Sequence, residues 1–150
     1  TIIKKIIYIF IYLVFITKIF AINLDYHPYI IDYDNLVAIK PKNIEKGNIK
    51  KGKEIFISRK VNCLSCHSAP IPEEKFHGNF GPSLNGIGRK LSKEEIRIRL
   101  INFKIISENS IMPSYFKRLD YPRIPDHLIN STILSVEEVE HLVEYLYSVK

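Results

Sequence analysis

The sequence is poor in cysteine, methionine and glycine, with two Cys, one Met and six Gly in 150 residues. A structural zinc site wants four Cys or His ligands, usually with a second paired motif, and with Cys63 and Cys66 the sole cysteines the pattern disfavours zinc. Cys63 and Cys66 sit in one motif, so no thiol is spare for a disulfide. Convincing parallel strands are missing, which removes the βαβ setting of a thioredoxin-like redox pair. No cluster of arginines interleaves with aromatic residues, which leaves nucleic-acid binding without support. An uninterrupted apolar run is also lacking. The run over residues 6–16 is followed by Lys18, short of the roughly 20 residues that a membrane span needs.

What the N-terminus does contain is an ordered series. Lys4 and Lys5 precede the apolar run, and Thr17, Lys18, Ile19, Phe20 and Ala21 follow it, the basic, apolar, small-residue order of a secretory signal peptide. The expected cut is after Ala21, with export to the periplasm and no stable membrane span once the signal is removed. The organisation read from the chain is a signal peptide over 1–21, an N-terminal arm over 22–46 and one domain over 47–150. Half of the formal charge of +6 belongs to the signal. Without Lys4, Lys5 and Lys18, 19 basic residues face 16 acidic ones, a net +3. The remaining basic residues read as a solvated surface or an electrostatic docking face.

Cys63-Leu64-Ser65-Cys66-His67 places two thiols three positions apart with an imidazole directly after them, the pattern of covalent haem attachment. On the first turn of a forming helix this spacing lets both sulfurs reach the two vinyl groups of one porphyrin. His67 then falls under the iron as the proximal ligand. The expected cofactor is one covalent haem c, and the chain reads as a c-type cytochrome. In electron carriers of this type a methionine commonly completes the iron, its soft sulfur raising the potential. The single methionine, Met112, lies 45 residues after His67 in Ile111-Met112-Pro113-Ser114-Tyr115. Pro113 biases Met112 toward extended backbone, which suits a ligand presented from a loop. His77, in the loop close to the motif, is the alternative sixth ligand, whereas His141 reads as a surface residue of the last helix. A ligating imidazole usually gives its second N–H to a carbonyl or carboxylate. Pro82 offers a stiffly held carbonyl for that purpose, although a proline among glycines also suits a plain turn.

The remaining pattern is helical. Residues 22–46 mix Pro28, Pro41, Asp32, Asp34 and aromatics without a period and read as a partly extended arm. From about residue 48 to residue 60, Ile49, Ile55 and Phe56 alternate with lysines as in a short amphipathic helix. There Gly52 either admits another helix or is merely tolerated. Three prolines and two glycines make residues 68–85 a loop. Ser92-Lys93-Glu94-Glu95 is a capping box with Leu91 and Ile96 as its staple, and it opens a helix with an Ile96, Leu100, Phe103 stripe. Ser135 and Glu138 repeat the box, with Leu134 and Val139 as staple and Val139, Leu142, Val143 and Leu146 as the buried face. Tyr115, Phe116 and Tyr121 beside the Met112 segment form either a docking patch or packing. The fold expected is all-α, with long loops ordered by a buried haem.

With the 63–67 motif, Gly81-Pro82-Ser83-Leu84, Met112 and the C-terminal helix, the chain resembles class I cytochromes c. That resemblance implies a class I cytochrome c-like fold, Pro82 as the acceptor for His67, and Tyr145 as a ring packed near the haem. More specifically the chain is similar to the SoxX family, the monohaem subunits of SoxAX cytochromes in thiosulfate oxidation. The stretches that carry this are Asn79-Phe80-Gly81-Pro82-Ser83-Leu84-Asn85-Gly86-Ile87-Gly88, Ile111-Met112-Pro113-Ser114-Tyr115-Phe116, and the ending from Ile133 through Leu146. The likeness covers roughly residues 51–150 and leaves the 22–46 arm without a family signal. It implies a SoxA-type partner subunit, the SoxYZ carrier as the complex's substrate protein, and a downstream cytochrome c as electron acceptor. In that family the joining of thiosulfate to the SoxYZ cysteine belongs to the SoxA haem, which has a cysteine-derived ligand. A chain with no third cysteine is then the electron-transfer part of an S-thiosulfotransferase and holds no catalytic residue of its own. A freestanding periplasmic cytochrome c electron carrier shares every ligand argument and is the alternative.

Overall fold

The computed structural model describes residues 24–119 and 122–150, with Lys5 and Tyr8. The segment read as a signal peptide therefore lies, apart from those two residues, outside the described residues, as does Tyr121. The elements run β1 (Ile30–Asp32), β2 (Val37–Ile39), α1 (Ile49–Ile57), α2 (Ile87–Lys90), α3 (Lys93–Asn102) and α4 (Val136–Ser148), with 3-10 turns at Leu24–Tyr26, Cys63–Ser65, Phe103–Ile105 and Asp126–Leu128. Among the described residues no helix is long and apolar enough to cross a membrane.

Helix starts follow cap chemistry. The Ser92 hydroxyl accepts the Glu95 N–H at 3.2 Å and the Glu95 carboxylate accepts the Ser92 N–H at 2.8 Å. Ser135 and Glu138 make the same reciprocal pair at 3.3 and 2.8 Å. Each pair satisfies two N–H groups that the first turn would leave without partners. At α1 the Asn48 side chain accepts from the Lys51 N–H at 3.0 Å. The Asn48 N–H in turn donates to His141 Nδ1 at 3.0 Å, so His141 is not a bystander on α4 but fastens the start of α1.

The core forms where α1 crosses α4 and α4 packs on α3. Phe56 meets Tyr145 with ring centroids 5.4 Å apart, and Leu134, Val139, Leu142 and Val143 are fully buried around them. Gly52 resolves in favour of close approach: a Cβ there would lie 2.0 Å from the His141 carbonyl oxygen. Tyr115 and Phe116, 5% and 4% exposed, are packing and not a docking patch.

Two features depart from the sequence reading. The segment expected as a partly extended arm folds into the antiparallel β1–β2 hairpin, with Ile31 opposite Ala38. It packs against α3 and buries Tyr26, Tyr29 and Ala38. Consequently α3 has more than one buried face: Ile98 and Ile101 are as buried as the expected Ile96 and Leu100, while Phe103 is only half-buried. Arg97 lies at this junction, 2% exposed. Its fork donates to both Glu140 oxygens at 2.7 and 3.0 Å and to the Ala38 carbonyl at 2.8 Å, joining α3, α4 and β2. A buried guanidinium is tolerable only when its charge and donors are met in this way. Tyr29 closes the same region by donating to the Val136 carbonyl at 3.2 Å, and burial, reinforced by Glu140, raises its pKa.

Candidate functional site

The motif forms one tight turn and then stops. The Cys66 and His67 N–H groups both return to the Cys63 carbonyl, at 3.2 and 3.0 Å. A helix continuing from there would need N–H donors from residues 70 and 72 for the Cys66 and Ser68 carbonyls, and both positions are proline. The forming helix expected around the two thiols is therefore cut to a single turn. The orphaned carbonyls are taken over by a later loop: Gly81 N–H donates to Cys66 O at 2.7 Å and Leu84 N–H to Ser68 O at 2.8 Å, while Gly78 N–H reaches Leu64 O at 2.7 Å. A strip of backbone bonds thus lays residues 78–84 along residues 64–68.

That strip positions His67. Its Nδ1 donates to the Pro82 carbonyl at 2.7 Å, and because a carbonyl only accepts, the ring proton is on Nδ1 and Nε2 keeps its lone pair. Gly81 lies flat against the ring: a Cβ would come within 2.4 Å of His67 Cε1. Glycine at 81 is a site requirement that the residue pattern disclosed only as a turn signal. His77 has the opposite tautomer. Its Nδ1 accepts the Ala69 N–H at 3.4 Å, so its proton is on Nε2, a buried atom without a partner among the described residues.

Cys63 and Cys66 are free thiols, the first buried and the second half-buried. Burial pushes the Cys63 thiol up to about 12, against a smaller lowering by the adjacent Tyr115 hydroxyl. Met112 is half-buried in an irregular segment, its N–H held by Ser110 Oγ at 3.1 Å. With Lys104, Pro113, Leu119 and Ile133 it lines a cavity of about 220 Å³. A larger cleft of about 590 Å³, between Asp25, Lys60 and Glu137, includes none of the candidate residues. Tyr145 is 6% exposed beside Phe56, and burial, with Glu73 and Cys63 adding to it, raises its pKa.

The donor set suits haem c: two unpaired thiols at attachment spacing, an imidazole with Nε2 free, and a thioether in a loop. The surroundings suit it as well. Phe76, Phe80 and Ile111, 90%, 74% and 68% exposed, all fall in the two segments that carry these donors, where a porphyrin would offer apolar cover.

The Cytochrome c family model matches residues 49–150. Among curated proteins there is no match to the chain. Among solved structures, the crystal structure of SoxXA from P. pantotrophus contains a chain similar in fold, with a TM-score of 0.71 and 23% sequence identity over 81% of this chain and 94% of that one. At that identity the likeness is one of architecture: helices and a small sheet arranged as in a cytochrome c.

Proposed function

Because the chain belongs to the cytochrome c family, whose members carry covalently bound haem c and transfer electrons, we propose that it is the exported, monohaem electron-transfer subunit of a SoxAX-type L-cysteine S-thiosulfotransferase. The observation that carries the ligand set is the 2.7 Å bond from His67 Nδ1 to the Pro82 carbonyl, which leaves Nε2 free for iron. Cys63 and Cys66 would hold the haem, His67 and Met112 would ligate its iron, and Tyr145 would pack nearby. Bound there, haem c supplies a one-electron iron couple whose potential a methionine ligand raises. The chain's own residues supply position. The Pro82 carbonyl fixes the orientation of the His67 ring. Gly81 lets the loop backbone lie against that ring. Residues 78–84 hold the attachment turn that its own prolines leave incomplete.

The subunit role rests on two observations together. The fold is similar to a chain of the SoxXA structure, and this chain holds no cysteine beyond Cys63 and Cys66. It therefore lacks the additional thiol that sulfur transfer to a carrier would use. What is left to it is to take electrons from a SoxA-type partner, which acts on the SoxYZ carrier in the periplasm, and to pass them to a downstream cytochrome c.

Two measurements test this. Haem-loaded Met112→Ala should lose the sulfur-to-iron charge-transfer band of the ferric protein and show a lower reduction potential; an unaltered spectrum refutes the ligand set. Size-exclusion of the mature protein co-expressed with its SoxA-like neighbour, followed by haem absorbance and subunit mass, should give a one-to-one complex. Elution as a monomer, with the neighbour folded and separate, would instead make it a freestanding electron carrier.

A further inference from the structure

The loop that carries Met112 ends at Tyr115, three residues on, and that residue is tied in three directions. Its N–H donates to the Leu100 carbonyl at 3.1 Å and its carbonyl accepts the Leu134 N–H at 2.9 Å, which fasten it to the end of α3 and the strand of chain before α4. Its hydroxyl donates to the Val61 carbonyl at 2.8 Å, in a buried contact two residues before the first thiol. Among the described residues, this hydroxyl contact is the hydrogen bond that runs from the Met112 loop to the attachment segment. Met112 packs partly buried against the core but has little backbone anchorage of its own. Its N–H bond to Ser110 stays within the loop, and Pro113 has no N–H to give.

On the His67 and Met112 ligand set proposed above, we propose that Tyr115 is a positioning residue: its hydroxyl holds the Met112 loop in register with the attachment turn, and so holds the Met112 sulfur where the iron is presented. Two arrangements of the loop then compete, one with the sulfur on the iron and one with it released. The hydroxyl bond exists only where loop and turn are aligned, so it biases the first. Removing the hydroxyl leaves the buried Val61 carbonyl without its partner in the aligned arrangement, and unsatisfied buried carbonyls are costly enough to shift such a balance roughly tenfold.

The test is an imidazole titration of the haem-loaded ferric protein, following loss of the sulfur-to-iron charge-transfer band as imidazole displaces Met112. Tyr115→Phe should bind imidazole about tenfold more tightly than the wild type, since every displaced sulfur is one that Tyr115 no longer retains. Tyr29→Phe is the control. It also deletes a hydroxyl bond from a buried tyrosine to a backbone carbonyl, but to Val136 at the start of α4, and keeps the ring that packs on Phe116, and its imidazole affinity should match the wild type. An unchanged affinity in Tyr115→Phe overturns the proposal, as do equal shifts in both variants, which would mean general loosening. If Tyr115→Phe yields no haem-loaded protein, Tyr115→Leu carries the same comparison. A wild-type protein without the band overturns the ligand set itself, and with it this inference, and that failure is visible before any variant is made.

Discussion

Replacing Gly52 with alanine sets two physical effects against each other, and the sign of the result decides between them. Gly52 is the fourth residue of α1, and helix propensity alone predicts that alanine there stabilises the protein by about 1 kcal/mol. The crossing of α1 over α4 predicts the reverse. An added Cβ would lie 2.0 Å from the His141 carbonyl oxygen, 2.6 Å from its carbonyl carbon and 2.7 Å from Tyr145 Cβ, where ordinary contact is 3.4–4 Å. The obstructing atoms are mainly backbone, so no side chain can swing away and the helices must part by more than an ångström. Overpacking of this kind costs about 1–3 kcal/mol and occasionally more. Here it also loosens the contact that buries Phe56 against Tyr145 and the His141 bond to Asn48. The expected outcome is a net loss of about 2 kcal/mol, or roughly 4–8 °C in Tm for a chain of this size. Urea unfolding of the haem-loaded protein by far-UV circular dichroism measures it, with an unchanged slope showing that compactness is preserved. A Gly52→Ala protein more stable than the wild type would refute the close-crossing argument.

Arg97→Met should cost about 3–5 kcal/mol, because it strands the buried Glu140 carboxylate. Arg97→Met combined with Glu140→Leu should recover most of that loss in the same unfolding assay, and a double variant as unstable as the single one would contradict this account. At α3, Ser92→Ala should cost about 1 kcal/mol through loss of the cap. The Ser92 backbone N–H, more than any other group, holds the Glu95 carboxyl below its ordinary pKa. A lowered carboxyl contributes its full stability above the ordinary glutamate value of about 4.3 and loses it as pH falls through the lowered value in the folded protein. The stability difference between the wild type and Glu95→Gln should therefore be constant near neutrality and shrink on acidification; a difference that widens toward acid would reverse the assigned sign.

Local chemistry was the legible part of this fold. Ser92 and Ser135 mark helix starts because a cap involves residues only three positions apart, and the prolines of residues 68–85 mark a loop for the same reason. The all-helical expectation missed the β1–β2 hairpin because its strands are three residues each, and their burial depends on α3, some sixty residues away. Knowledge of that hairpin was needed to see why Ile98, Ile101 and Arg97 are buried together, since a single stripe cannot account for all three. Site residues divide in the same way. Cys63, Cys66 and His67 announce themselves by spacing. The hydroxyl of Tyr115 and the bareness of Gly81 acquire meaning only once distant segments lie side by side.

The third arm of the Arg97 fork sets the limits of the folding unit. The stretch shared with the family begins at residue 49, yet one guanidinium N–H is spent on the Ala38 carbonyl, upstream of that boundary. Trimming the protein to the shared stretch would strip cover from α3, leave a donor unmet at the base of the ion pair and admit water to a charge pair that now sits 2% exposed. For this chain the segment upstream of residue 49 is the lid of its own core, and a protein trimmed to residues 49–150 should unfold at lower urea than the full chain.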